Sequence, residues 1–214
     1  MASAIPATPA PSPRRVRIAP LPSGLPLLAS HRSRPLAEQL SALGKNSDNF
    51  TAEMLLKVLA AERVGVPGRT ENGARIAQQT LRRMGLPMGG LAIVNGSGLF
   101  APNRVTAAQL TKLLATVYND PGLRPEFTAH LAVAGVDGTL SKRMSALPAP
   151  RIVRAKTGTL DNVIALSGYV LGRTPERVFA FSVIANGVRG KHRAARDLAD
   201  TVAAEVAMHL WLKR

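Results

Sequence analysis

IVRAKTGTLDNVIALSGYVLGRTPERVFAFSVIA, residues 152–185, decides how this chain folds. Ile152 to Lys156, Val163 to Leu171 and Arg177 to Ala185 are rich in β-branched and aromatic residues. Turn residues separate them, Asp161-Asn162 first and then Gly172-Arg173-Thr174-Pro175. Short apolar runs joined by such turns predict a three-stranded antiparallel meander. Beyond it, Lys191 to Leu212 predicts a closing helix with Leu198, Val202, Val206 and Leu210 on one face, ready to cover that sheet.

Upstream, the periodicity is that of helices. Pro35 suits a first helical position, Leu36, Leu40 and Leu43 follow at i, i+4 and i+7, and Gly44 is the expected stop. A second helix is expected from about Phe50 to Ala61, with Phe50, Met54, Leu55, Val58 and Leu59 on its buried side. A third runs from Asn72 to Met84, stopped by Gly85 and Pro87. Leu91 to Val94 reads as a short strand entering the turn Asn95-Gly96-Ser97-Gly98. Thr106-x-x-Gln109 is a capping box opening a helix that carries Leu110, Leu113, Leu114 and Val117. Pro121 to Pro150 is mixed, with Gly135-Val136-Asp137-Gly138 as a loop. Helices first, then a meander and a covering helix, predict an α+β domain. Residues 1–30 read as an Ala/Pro/Arg-rich tail, largely flexible, with one extended piece at Val16-Arg17-Ile18; residues 31–214 read as the folded part.

Composition narrows the function classes. With 214 residues and 46% hydrophobic content, the chain can build one domain core and is not wholly disordered. A formal charge of +15, from 28 Lys and Arg against 13 Asp and Glu, raises the question of nucleic acid. The basic residues are dispersed, however, with no run longer than a pair such as Arg14-Arg15 or Arg82-Arg83, and no aromatics interleave them. Specific nucleic-acid binding is not expected; nonspecific attraction to polyanions, including anionic glycans and phospholipid headgroups, is the reading that charge supports. The absence of cysteine excludes disulfides and thiolate metal sites. His31, His130, His192 and His209 lack metal-ligand spacing, so no metal or other cofactor is expected. No stretch is long and apolar enough to span a membrane. Met1 to Pro22 carries its arginines after its apolar residues, the reverse of a signal peptide.

Two tripeptides carry the chemistry. Lys156-Thr157-Gly158 ends the first predicted strand; its ammonium and hydroxyl are a pair suited to holding a carboxylate. Gly158 leaves the strand edge open to a substrate, and the amide of Thr159 is placed to donate to an oxyanion. The plain alternative is a solvated lysine before a strand-end glycine. Ser47-Asp48-Asn49 lies in a tight link between two helices, offering a hydroxyl that can pass a proton and an amide that can grip a peptide group by both edges. Its alternative is helix capping. Ser97 lacks the Gly-x-Ser-x-Gly spacing of a nucleophile elbow and reads as a turn serine. None of the twelve serines has a lysine three residues later; Thr139-Leu140-Ser141-Lys142 comes nearest.

Ser-Asp-Asn and Lys-Thr-Gly are two of the three signatures of penicillin-binding proteins and serine β-lactamases, the third being Ser-x-x-Lys. The chain resembles the D-alanyl-D-alanine carboxypeptidase/endopeptidase family of low-molecular-mass class C penicillin-binding proteins. The likeness extends to Leu28-Ala29-Ser30-His31-Arg32-Ser33-Arg34-Pro35-Leu36, to Asn95-Gly96-Ser97-Gly98-Leu99 with Asn for the usual Asp, and to Asn103-Arg104-Val105-Thr106. Ala134 to Leu140 and Ala155 to Leu160 complete it, covering the chain from about Val16 onward. The resemblance implies the C-terminal part of a transpeptidase-like fold, in which the nucleophile segment and two inserted domains lie upstream of everything matched. It implies a serine-type hydrolase acting on peptidoglycan stem peptides that end in D-Ala-D-Ala, open to β-lactams and working outside the cytoplasm or in the periplasm. By resemblance Ser47 relays a proton to the leaving amine, Asn49 holds the substrate backbone, Lys156 and Thr157 bind the terminal carboxylate, and the Thr159 amide faces the oxyanion. With no Ser-x-x-Lys, the expectation is a catalytically incomplete portion, partnered by a missing N-terminal half. The alternatives are a noncatalytic binder of stem peptides and a basic polyanion-binding protein.

Overall fold

The structure is a computed structural model that describes residues 19–20, 22–99, 103–174 and 176–212. The predicted extended piece Val16-Arg17-Ile18 lies outside the described residues. The chain divides into two compact units, Met1–Ser33 and Arg34–Arg214. In the first, residues 22–33 form neither helix nor strand and are exposed.

In the second unit the elements run α1 (Leu36–Asn46), α2 (Asn49–Val64), α3 (Thr70–Arg83), α4 (Ala107–Asn119), α5 (Arg124–His130), β1 (Ala132–Val133), β2 (Val153–Leu160), β3 (Val163–Leu171), β4 (Val178–Asn186) and α6 (His192–Leu212). The predicted meander forms as β2, β3 and β4, and the two-residue β1 joins it at one side to give the antiparallel order β1-β2-β3-β4. Leu160 pairs with Val163 across Asp161-Asn162, a two-residue hairpin link that fixes the register of both strands. With β1 reaching only Arg154 and Ala155, the edge of β2 from Lys156 to Leu160 has no strand on that side among the described residues.

Helix α6 covers the sheet with a different face from the one the bulky residues suggest. Ala195, Ala199, Ala203 and Ala207 recur every fourth residue and are buried: Ala199, Ala203 and Ala207, with Leu210, against Val153, Leu166, Val170 and Phe181, and Ala195 against Ile164 and Val188. Leu198 is 58% exposed and Val202 38% exposed; of the predicted face only Val206 and Leu210 pack. The sheet already supplies large side chains, so the helix approaches through its smallest ones. On the other face Tyr169 is wholly buried, its hydroxyl donating to the Leu114 carbonyl at 2.8 Å, and its ring meets Tyr118 and Phe127. These contacts seat α4 and α5 against β3.

Two helical expectations and one strand change in detail. Gly44 does not end α1, which continues to Asn46. A Cβ on Gly44 would lie 2.2 Å from the His130 carbonyl oxygen, so glycine there lets α1 touch the end of α5. Helix α2 is longer than expected, and Phe50 and Val58 are 72% and 53% exposed. Its fully buried residue is Ala60, and its approach to α3 is made at Gly73, where a Cβ would stand 2.0 Å from the Leu56 carbonyl oxygen. Of the predicted apolar stripe Met54, Leu55 and Leu59 are half-buried, and backbone contact makes the close approach to α3. Leu91 to Val94 makes one bridge, Ala92 with Arg104, and no strand. The Thr106–Gln109 capping box is present, and buried Gln109 also donates to the carbonyls of Pro87 and Gly89. Among the described residues no helix is long and apolar enough to cross a membrane.

Candidate active site

Helix α1 stops at Ser47, whose backbone is left-handed at φ 62° and ψ 52° while its N–H still bonds the Leu43 carbonyl. Side chains other than glycine, asparagine and aspartate enter that region at a cost of about 1–2 kcal/mol. The turn thrusts Ser47 out between two helices. Asp48 then caps α2, its carboxylate accepting from the Thr51 amide at 3.2 Å and the Thr51 hydroxyl at 2.7 Å. The hydrogen bonds from Thr51 hold the Asp48 carboxyl below the usual range. Capping is therefore real, and it belongs to Asp48; Ser47 and Asn49 flank the cap and line a cleft.

Across that cleft stands β2. Lys156 Nζ donates to Ser47 Oγ at 2.8 Å and to the Thr157 carbonyl at 3.0 Å, joining two motifs 109 residues apart. Burial lowers the Lys156 pKa from the usual lysine value. Lys156, Ser167 and Ser182 are register partners on one face of the sheet, and the two serine hydroxyls bond each other at 2.8 Å. An ammonium has three N–H groups. Among the described residues two of those on Lys156 are engaged, leaving one for a ligand.

The cleft measures about 510 Å³. All six expected site residues line it: Ser47, Asn49, Lys156, Thr157, Gly158 and Thr159. Gly96, Ser97, Gly98 and Leu99 form another wall. Ser97 is a turn serine, as expected: its amide and hydroxyl donate to Glu53 on α2 at 2.9 and 2.6 Å. Burial opposes ionisation of Glu53, but the hydrogen bonds from Ser97 and the Gly96 amide outweigh it and keep its pKa low. A Cβ on Gly96 would lie 2.2 Å from the Ala52 carbonyl oxygen, so this wall rests directly on α2.

Sequence reasoning did not assign Thr139 to the site, yet its hydroxyl accepts from the Thr157 hydroxyl at 2.9 Å and it lines the cleft. The loop that carries it is fastened to α1. Lys45 forms a 2.6 Å ion pair with Asp137, which also accepts from the Val133 amide at 2.8 Å. Burial opposes ionisation of Asp137, but the hydrogen bonds from Lys45 and Val133 and the Lys45 charge keep its pKa below the usual value. The signal was present in Asp137-Gly138-Thr139, where an acid and a glycine precede the hydroxyl, but nothing in spacing alone joins it to Lys45.

Residues 12–208 match the D-Ala-D-Ala carboxypeptidase 3 (S13) family. The chain is 39% identical over 186 residues to a D-alanyl-D-alanine carboxypeptidase from an Actinomadura species, covering 85% of this chain and 34% of that protein. It is 32% identical to the D-alanyl-D-alanine carboxypeptidase DacB of Haemophilus influenzae, over 75% of this chain and 34% of the relative. The crystal structure of penicillin-binding protein 4 from Haemophilus influenzae superposes with a TM-score of 0.70 at 26% identity, covering 81% of this chain and 41% of that one. The fold is thus the α+β fold of penicillin-binding proteins and β-lactamases, and the chain spans about a third of the length of these curated relatives. On this match the chain belongs to the D-Ala-D-Ala carboxypeptidase 3 (S13) family.

Proposed function

We propose that this chain supplies the recognition and proton-relay side of a serine-type D-Ala-D-Ala peptidase site, taking peptidoglycan stem peptides as ligand. The observation that carries the reading is the 2.8 Å hydrogen bond from Lys156 to Ser47. Because Ser47 Oγ accepts from Lys156, its own proton is available to donate to a leaving amine. The remaining Lys156 N–H and the Thr157 hydroxyl hold the terminal carboxylate, a charge-assisted arrangement. The open edge of β2 lets a peptide lie alongside as an added strand, with Gly158 offering no side chain in its way. The Asn49 carboxamide grips the peptide backbone, and the Thr159 amide donates to the oxygen that becomes negative during acyl transfer.

Acyl transfer also needs an activated nucleophile. No serine of this sequence begins Ser-x-x-Lys, so these residues bind, orient and move a proton, while the acylated serine is to be sought in sequence beyond these 214 residues. The ligand class places the working protein outside the cytoplasm, and β-lactams fit the same carboxylate-binding side. Calorimetric titration with an N-acyl D-Ala-D-Ala dipeptide tests the reading. Saturable binding that an L-Ala-L-Ala dipeptide does not reproduce is expected. Equal or absent binding of the two would overturn it.

A further inference from the structure

We infer that Thr139 is a specificity-determining residue of this cleft, its hydroxyl sharing the ligand's terminal carboxylate with Thr157; the inference rests on the function proposed above. The two hydroxyl oxygens stand 2.9 Å apart, with Thr157 donating and Thr139 accepting. The proton of Thr139 is consequently available to a ligand. A carboxylate presents two oxygens, each able to accept. When one enters, both hydroxyls can turn outward and donate to it, with Lys156 of the same cleft supplying the charge.

The turn bearing Thr139 is built to hold that position. Leu140, the next residue, is wholly buried in the core beneath α6. Asp137, two residues earlier, is tied to Lys45 and to the Val133 amide. Between them Gly138 has φ +55°, and a Cβ there would stand 2.4 Å from the Lys45 carbonyl oxygen. Thr139 is thus an exposed side chain on a backbone fixed from both sides. Among the described residues its hydroxyl meets another hydroxyl and no base, which fits a ligand donor and not a nucleophile.

The test uses the full chain and two ligands, an N-acyl D-Ala-D-Ala dipeptide and the same dipeptide ending in a carboxamide. Thr139→Val removes the hydroxyl at nearly constant shape. It should weaken the acid by roughly tenfold or more, as expected for losing a hydrogen bond to a charged group, and the amide by less than about twofold. Thr139→Ser should bind the acid within about threefold of the wild type. Thr139→Val should melt with the wild type, since the side chain is exposed. Unchanged acid affinity in Thr139→Val would overturn the assignment alone, as would an equal loss for both ligands, which would mark a structural role. A wild-type chain that fails to prefer acid over amide would overturn the reading of the cleft and this assignment with it.

Discussion

Lys45 and Asp137, joined by a 2.6 Å ion pair, bind the last turn of α1 to the loop before β2. Each lies two residues before a side chain of the cleft, Lys45 before Ser47 and Asp137 before Thr139. One partly buried contact therefore links the two turns that bring Ser47 and Thr139 to the cleft. The buried Val133 amide completes the arrangement by donating to the same carboxylate. A connection of this kind explains how a short exposed turn keeps its hydroxyl against Thr157.

Asp137→Ala should destabilise the fold by about 1–3 kcal/mol, the cost of leaving the buried Val133 amide unpaired. The effect depends on pH with a definite sign. The folded Asp137 carboxyl has a pKa below its ordinary 3.8, so its contribution is complete above that value and is lost as pH falls through the lowered one. Thermal unfolding of both proteins across the acid range should show the gap narrowing there as the Lys45 ion pair is lost, with the part owed to the Val133 hydrogen bond remaining. A gap that persists unchanged in strong acid would contradict the ion-pair account.

Lys156→Met should not lower the melting temperature at neutral pH, although it removes the charge from the cleft. Burial depresses the lysine pKa, so below that lowered value the folded protein carries the full penalty of a partly desolvated ammonium. As pH rises from the lowered value toward the ordinary 10.5, the unfolded chain holds more protons and wild-type stability rises. The variant should lack this rise. Melting curves at neutral and alkaline pH decide it, and a loss of many degrees at neutral pH would show Lys156 to be structural.

Gly44→Ala should destabilise by about 1–3 kcal/mol through overpacking, because the new Cβ would fall 2.2 Å from the His130 carbonyl oxygen. Gly89→Ala, at a position with nothing within 4 Å, is the control and should change little. Denaturant midpoints compare them. Equal midpoints would show that α1 does not rest on α5 as described.

Incubation of the chain alone with benzylpenicillin should give no stoichiometric mass increase, since none of its twelve serines begins Ser-x-x-Lys. Intact-mass spectrometry reads the result. A single adduct on one serine would reveal a nucleophile outside that pattern.

The sheet was legible because its signals are local: β-branched runs broken by Asp161-Asn162 and Gly172 to Pro175 need no distant partner to be read. The capping box at Thr106 was legible for the same reason. The stripe of α6 was not, since hydrophobicity favours Leu198 and Val202 over alanine, and only the bulk of Leu166 and Phe181 on the sheet makes alanine the better neighbour. Gly44 misled in a related way, since a glycine that admits another backbone looks in sequence like one that ends a helix. In the cleft, Ser47 and Lys156 were found through their motifs. Thr139 was not, because its role follows from the fixing of its turn by Lys45, 92 positions from Asp137.

The account stands most directly on one comparison, the affinity of an N-acyl D-Ala-D-Ala dipeptide for the wild type, Lys156→Ala and Lys191→Ala, measured by calorimetry at low and raised salt. Lys191 is exposed and outside the cleft, so it reports only the general attraction of a chain with formal charge +15. Losing a charge-assisted contact worth about 1.5–3 kcal/mol predicts at least a tenfold weakening in Lys156→Ala, with Lys191→Ala unchanged and little dependence on salt. Equal losses at both lysines, disappearing together as salt is raised, would contradict a carboxylate site and leave the chain a nonspecific binder of anions.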